Sequence, residues 1–389
     1  MKKLLYFSFY FEPDLCAGSF RNSPLAKELA NQIEGKAEID VITTLPNRYG
    51  TFDASAPAFE DRGNIKIYRI LIPKHKSGFM DQINSFKTYF IEANRLIKDK
   101  KYDMVFSSSS RLFTAYLGYR FAKRQGIPLY LDIRDIFIDT MKDVLKNPIL
   151  KAGVMPVLKI IERKVFSYAT HINLISGGFK SYFEKFKQPK YSYFSNGIDP
   201  EFLNLAATSA KDRPYKLITY AGNLGEGQGL HIIVPPAAKA LGEGYRFLII
   251  GDGGVKQKLI DEIERLQLTN VEIRKPVPRK ELLEIYDDSD FLFLHLNDYD
   301  AFKKVLPSKI FELGAYDKPI IAGVAGFANQ FIDENIPNRI LFLPGQVDEM
   351  VRQLGEYKYH TAFRNEFKAK FKRDVINTQM AKSIIENLP

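Results

Sequence analysis

Short runs of apolar residues recur along the chain, each followed by a longer stretch in which apolar positions return every three or four residues. Runs without alternation suit strands covered on both faces, and the longer period suits amphipathic helices. In the first half this predicts strands at Lys3–Phe9, Ile39–Thr44, Ile65–Leu71, Met104–Ser107, Pro128–Leu131, His171–Ile175 and Tyr191–Phe194. Helices are predicted near 20–33, 81–98, 111–125, 141–168 and 177–186. The second half repeats the rhythm, with strands at Leu217–Tyr220, Arg246–Ile250, Val271–Ile273, Phe291–His295, Pro319–Ile321 and Arg339–Phe342. Its helices are predicted near 229–241, 255–267, 279–287, 308–316 and 327–334. Strand–helix alternation of this kind predicts α/β units with parallel sheets.

The rhythm breaks at Ser195–Asn196–Gly197–Ile198–Asp199–Pro200, where Asn-Gly and Asp-Pro are turn chemistry, and resumes only at Lys216. Two doubly wound, Rossmann-like domains are therefore expected, 1–200 and 201–371, facing each other across a cleft. The final helical pattern, His360 to Leu388, is interrupted near Asp374, and its last part, 372–389, is expected to pack back on the first domain.

A length of 389 residues fits two cores, and 45% hydrophobic residues excludes a disordered chain. The single cysteine, Cys16, excludes an internal disulfide and a cysteine-rich zinc site. The apolar start is followed too soon by Glu12, Pro13 and Asp14 to be a signal peptide, and no run is long enough to span a bilayer. Charge divides unevenly: residues 1–200 carry 31 Lys+Arg against 20 Asp+Glu, and residues 201–389 carry 25 against 26. All the excess positive charge lies in the first half, which suggests an anionic partner there. The cations are dispersed and no nucleic-acid-binding motif is present, so nucleic acid is not the expected partner.

The strongest chemical signal is Leu306–Pro307–Ser308–Lys309–Ile310–Phe311–Glu312–Leu313–Gly314, followed by Lys318–Pro319 and an apolar strand. A proline at the start of a short helix leaves backbone N–H groups free to meet a diphosphate. Lys309 would add charge, and Glu312 one turn on could accept hydrogen bonds from ribose hydroxyls. Tyr220–Ala221–Gly222–Asn223–Leu224–Gly225 reads as a glycine turn at a strand end, where backbone can approach a ligand or simply turn. Leu248–Ile249–Ile250–Gly251–Asp252–Gly253–Gly254 is a strand and a glycine-rich turn, weak as a fingerprint by itself.

Together with Asn196–Gly197–Ile198–Asp199, these segments resemble the retaining glycosyltransferases of family 4, which have the GT-B fold, in the branch that builds O-antigen and capsular polysaccharides. The resemblance implies that Glu312 binds the ribose of a nucleotide-sugar. Lys304 stands where members commonly carry a first glutamate, and Asn223 and Gln228 stand where many carry an Arg and a Lys for the diphosphate. Backbone N–H groups and Lys309 would then carry more of the phosphate binding. The resemblance also sets Gly251 beside the donor and Val277, in Arg274–Lys275–Pro276–Val277–Pro278, against the base.

In the first half, Pro13–Asp14–Leu15–Cys16–Ala17–Gly18–Ser19–Phe20–Arg21 joins strand to helix. Ser19 reads as a cap, Gly18 as a point of close backbone approach and Arg21 as an anion contact. By resemblance the loop faces the transferred sugar and the acceptor. Asp132–Ile133–Arg134–Asp135 lies at a strand's carboxyl end, where catalytic groups collect. Asp135 is the candidate near the acceptor hydroxyl and Arg134 its orienting partner, an internal Arg–Asp pair being the alternative. Asp288–Ser289–Asp290 and Asp298–Tyr299–Asp300 each read as DxD without the pattern of a metal site, and no metal or other cofactor is expected. From Asp139 to Tyr168, apolar residues interleave with Lys142, Lys146, Lys151, Lys159, Arg163 and Lys164, which suits an interfacial helix or a core helix with a solvated face.

The expected function is sugar transfer with retained configuration, from a UDP-sugar to a lipid-linked or lipopolysaccharide acceptor such as a polyprenyl diphosphate. The expected location is the cytoplasm, peripheral at the inner face of the plasma membrane. A UDP-sugar 2-epimerase of the same fold, or a catalytically silent scaffold, are the alternatives.

Overall fold

Apolar, largely β-branched and aromatic runs fold into strands here because helices cover both faces of each sheet. The structure, a computed structural model, describes residues 1–14, 16–47, 55–73, 79–109, 111–145, 147–205, 207 and 211–389. Leu15 and Lys146, named above, lie outside them. The chain forms two units, Met1–Asn196 with Asp374–Pro389, and Gly197–Arg373. The sequence put the corresponding boundaries at 200 and 371.

Unit 1 contains β1 (Lys2–Ser8), β2 (Ala37–Thr44), β3 (Phe59–Asp61), β4 (Ile65–Ile70), β5 (Met104–Ser109), β6 (Leu129–Ile133), β7 (His171–Leu174) and β8 (Lys190–Ser192). Their order is β3-β4-β2-β1-β5-β6-β7-β8. All neighbours are parallel except β3, which runs antiparallel to β4 at the edge. That short edge strand, Phe-Glu-Asp, carries no apolar run and was not anticipated from the sequence. Chain order reverses between β1 and β5, so their carboxyl ends flank the switch point at which ligands bind in such sheets.

The expected helix 141–168 is two helices, Phe137–Val144 and Pro148–Tyr168. Asn147 ends the join because its side chain accepts from the N–H groups of Ile149 and Leu150, with Pro148 fitting the first helical position. Pro156 lies inside the second helix without ending it. The last helix, Arg373–Ile385, sends Met380, Ala381 and Ile384 into the core of unit 1 against Leu4, Tyr6 and Phe106. It packs back on the first domain as expected. Burial of Met380 and of Ile384 contributes about 1.5–3 kcal/mol each, which favours this terminal segment staying in place.

Unit 2 contains β9 (Lys216–Asn223), β10 (Tyr245–Asp252), β11 (Val271–Arg274), β12 (Phe291–His295), β13 (Ile320–Gly323) and β14 (Arg339–Phe342). Their order is β11-β10-β9-β12-β13-β14, all parallel. Here the switch point lies between β9 and β12, so the loops after Asn223 and His295 share one end of the sheet.

Candidate functional site

The loop after β9 is built to lie close to its neighbours. A Cβ on Gly251 would sit 1.9 Å from the Gly222 carbonyl oxygen, and one on Gly253 would sit 2.5 Å from the Leu224 backbone. Leu224 N–H donates to the Asp252 carbonyl at 2.9 Å, and Val255 N–H donates to the Leu224 carbonyl at 3.0 Å. Gly251 and Gly253 are thus required because their turn packs against the Gly222–Leu224 backbone, and this internal packing accounts for those two glycines without a ligand.

Further along, Gly229 takes a left-handed conformation, φ 61°, beside the Asn297 amide, where a Cβ would sit 2.1 Å from Oδ1. Asn297 donates from its side chain to the Glu226 carbonyl, and from its backbone N–H to the Gly227 carbonyl at 2.8 Å. Fully buried His295 completes the fastening. Its Nδ1 donates to the Gln228 carbonyl at 2.7 Å, while Nε2 accepts from Gly345 N–H at 3.1 Å. That pattern requires the neutral ring, and burial lowers its pKa to about 4, the Gln228 carbonyl opposing. Loops after β9, β12 and β14 are therefore joined through one imidazole.

Asn223 and Gln228 meet across the loop, with Nδ2 donating to Oε1 at 2.8 Å, on its exposed side. No cation stands at either position.

The expected helix 308–316 is shorter, Lys309–Gly314, with Pro307 and Ser308 before it. It is fixed by burial of Ile310, Phe311, Leu313 and Gly314, and a Cβ on Gly314 would strike the Phe367 ring. Ser308 makes no side-chain cap, so its hydroxyl is not committed to the helix end. Lys309 Nζ lies 2.8 Å from Glu312 Oε2, both side chains mostly covered. Burial disfavours the Lys309 ammonium, but Glu312 and then Tyr286 outweigh it and hold the amine well above its ordinary range. Tyr220, from β9, is within electrostatic reach of the same ammonium, and its hydroxyl donates to the Asn223 carbonyl at 2.8 Å. Lys309 and Glu312 are thus brought together with the Gly222–Asn223 turn. The roles of Tyr220, Tyr286, His295 and Asn297 were missed by sequence reasoning: the first three are buried and look like core, and Asn297 looks like an ordinary loop residue.

Lys304 ends a short helical turn, Phe302–Lys304. Val277 is half-buried in the loop after β11. That loop is tethered by Arg279, which pairs with Asp199 and with Glu201 and lies over the Phe202 ring at 4.7 Å. Asp199 also accepts from Arg373, and Ile198 N–H donates to the Phe371 carbonyl at 2.7 Å. The Gly197–Asp199 segment is accounted for by these contacts within unit 2.

In unit 1 the sequence reading of the first loop is corrected. The helix begins at Ala17 with Cys16 in the cap position, so Gly18 and Ser19 are its first turn and Ser19 is buried rather than a cap. Arg21 does not await an anionic ligand. It is buried, and its guanidinium grips Asp132 with two bonds of 2.8 Å and the carbonyls of Phe194 and Ser195 at 2.9 Å. Asp132 also accepts from Asn173 at 2.8 Å and Ser108 at 3.1 Å. The anion Arg21 meets is the strand's own aspartate, with every donor nitrogen used.

Gly18 and Arg134 do come together. A Cβ on Gly18 would sit 3.1 Å from an Arg134 guanidinium nitrogen. Beside them, burial raises the Asp135 carboxyl to about 6, although Thr140, whose hydroxyl lies 3.1 Å from both carboxyl oxygens, pulls the other way. A carboxyl titrating near neutrality suits proton transfer. Among the described residues no group of three or more His, Cys, Asp or Glu could hold a metal ion.

Residues 203–373 match the family of glycosyl transferases group 1. The match lies inside unit 2 and covers the Gly222–Gly229 loop, Lys309 and Glu312. No curated protein matches the chain. Among solved structures, sucrose-phosphate synthase from Thermosynechococcus elongatus is similar over 99% of both chains, with 13% identity and a TM-score of 0.73. Anabaena HepE in complex with UDP-glucose is similar over 99% of this chain and 100% of its own, with 14% identity and a TM-score of 0.67. The lipopolysaccharide outer core galactosyltransferase WaaB is similar over 100% of both, with 14% identity and a TM-score of 0.63. The fold is GT-B. The matched family and this fold together support glycosyl transfer.

Proposed function

We propose that the protein transfers a sugar, with retained anomeric configuration, from a UDP-sugar to a lipid-linked or lipopolysaccharide acceptor in surface polysaccharide synthesis. The observation that carries this is the Lys309–Glu312 pair beside the Gly222–Asn223 turn, at the switch-point end of a sheet within the matched family. HepE, of the same fold, is seen with UDP-glucose, and WaaB is a lipopolysaccharide outer core galactosyltransferase, which supports the donor and acceptor classes.

In this reading Lys309 neutralises the diphosphate as it leaves, without a metal or other cofactor, and Glu312 accepts from the ribose. Asp135, ionised above about pH 6, accepts the proton of the incoming acceptor hydroxyl, and Arg134 orients the groups around it. The excess of cations in residues 1–200 favours an anionic acceptor such as a polyprenyl diphosphate, met at the cytoplasmic face of the membrane. A hexosyl or N-acetylhexosaminyl donor fits this acceptor class.

The test is UDP release from a panel of UDP-sugars with membrane lipid acceptors, run beside Glu312→Ala and Asp135→Ala. Turnover that both substitutions suppress supports the reading. The mutual hydrogen bond of Asn223 and Gln228, which leaves that loop without a cation, favours a second reading as a silent scaffold. UDP binding with no turnover on any acceptor would select it.

A further inference from the structure

The helix Pro148–Tyr168 has one face that its own unit leaves uncovered. Met155, Leu158, Glu162, Val165 and Phe166 are buried. On the opposite side, at 3.6 residues per turn, Ile149, Val157 and Ile160 share a stripe that ends in Lys164. Ile149 is 83% exposed, Leu150 47%, Val157 55% and Ile160 56%, an unusual concentration of aliphatic surface on one helix.

A groove of about 600 Å³ lies on another flank of the same helix, lined by none of these aliphatic residues and bordered by Lys142, Lys159, Arg163, Lys185 and Lys187. Arg163, three positions after Ile160, stands between the groove and the stripe. Its floor is shaped by Glu162, whose carboxylate accepts from Tyr182 at 2.6 Å and from Lys185 at 3.3 Å. Lys142 pairs with Asp139 at 2.7 Å. Lys159, Arg163 and Lys187 have no carboxylate within ion-pair distance among the described residues. The internal acids are used by two of the cations, and three are left for an outside anion.

We propose that this surface seats on an anionic phospholipid bilayer. Ile149, Leu150, Val157 and Ile160 enter the boundary of the acyl region while Lys159, Arg163 and Lys187 hold lipid phosphates. The choice of occupant follows from the two halves together. A nucleic acid would use the cations and leave the aliphatic stripe in water, whereas a bilayer offers phosphate and hydrocarbon side by side. Among the described residues no helix is long and apolar enough to cross a membrane, so the contact is peripheral. The inference deepens the reading of a membrane-held acceptor, but it is tested without donor or acceptor.

The experiment is co-sedimentation of the full chain with phosphatidylcholine vesicles, with and without phosphatidylglycerol, and with an RNA homopolymer in parallel. Binding is expected only where phosphatidylglycerol is present. Replacing one paired-free cation, Arg163→Gln or Lys187→Gln, should weaken it about fivefold. Ile149→Glu and Ile160→Glu, both at exposed positions, should each weaken it roughly tenfold. Absence of binding to the anionic vesicles, wild-type partitioning by Ile149→Glu and Ile160→Glu, or capture of the RNA alone would each overturn the proposal. UDP release on a soluble acceptor separates the two claims. Vesicle binding with no turnover of any UDP-sugar overturns only the enzymatic reading, and turnover with no vesicle binding overturns only this one.

Discussion

Lys309 and Glu312 meet across one helical turn, Nζ to Oε2 at 2.8 Å, with both side chains mostly covered by the protein. An isolated exposed pair at this spacing would contribute a few tenths of a kcal/mol. Under partial burial the pair has a different consequence: Glu312 holds the Lys309 side chain in place and its ammonium well above the ordinary range, and in the proposed function the two meet the phosphate and the ribose of the nucleotide.

Glu312→Gln and Lys309→Met should therefore separate in their effects. Each removes a charge-assisted hydrogen bond from the bound nucleotide, worth about 1.5–3 kcal/mol, so affinity for UDP should fall by roughly tenfold or more. Glu312→Gln also leaves the covered ammonium of Lys309 without its carboxylate and should lower the melting temperature more than Lys309→Met does. Isothermal titration with UDP and a thermal scan check both. Unchanged UDP affinity in both variants would remove the pair from the donor site.

Asp135→Asn should leave UDP affinity intact and lower turnover by roughly a hundredfold, the usual scale for a positioned general base. Burial raises this carboxyl to about 6, so the basic form is lost as pH falls through that value. In the wild type, kcat/KM should decline below about pH 6 and stay level above it. Thr140→Val removes the hydroxyl that favours the ionised form and should move the inflection upward. A rate profile without that inflection would exclude Asp135 as the base.

Arg21→Met and Asp132→Asn should cost stability and not donor binding. The Arg21–Asp132 pair is fully buried and tied to Ser108, Asn173 and two carbonyls, and stripping one partner from such a pair costs about 3–5 kcal/mol. Urea denaturation measures the loss. If Arg21→Met instead folded with wild-type stability, the network would carry no structural weight and the anion-contact reading of Arg21 would return.

What the sequence made legible follows from what each residue does. Period and turn chemistry located nearly every strand, because parallel strands must be apolar on both faces. The edge strand Phe59–Asp61 escaped since it has no buried face to enforce a pattern. Pro307, Lys309 and Glu312 were visible because a proline, a cation and a carboxylate at helical spacing are chemically distinctive. Arg21 was misread for the opposite reason. Its type advertises anion binding, and only the fold reveals that Asp132, more than a hundred positions later, is the anion. Gly251 shows the same limit: a glycine needed for a phosphate and one needed for a neighbouring carbonyl look identical in one dimension.

His295 carries the last prediction, on acid stability. Its ring is buried neutral with both nitrogens engaged, and burial lowers its pKa to about 4 against the model-peptide value of about 6.5. The unfolded chain therefore binds a proton that the folded ring refuses between those two values. Stability is fully present above about pH 6.5 and is lost as pH falls toward about 4, by a sum on the order of 3 kcal/mol from this site. His171, also lowered to about 4, by burial and Lys190, acts in the same direction in unit 1. His295→Gln should be less stable than the wild type near neutrality, because the hydrogen bonds to the Gln228 carbonyl and Gly345 N–H are disturbed. It should also lose less on acidification, since the amide does not titrate. Urea midpoints at about pH 7, above the window, and at about pH 4.5, near its lower end, compare the two proteins. Parallel decline of wild type and variant would show that the imidazole is not what binds the extra proton on unfolding.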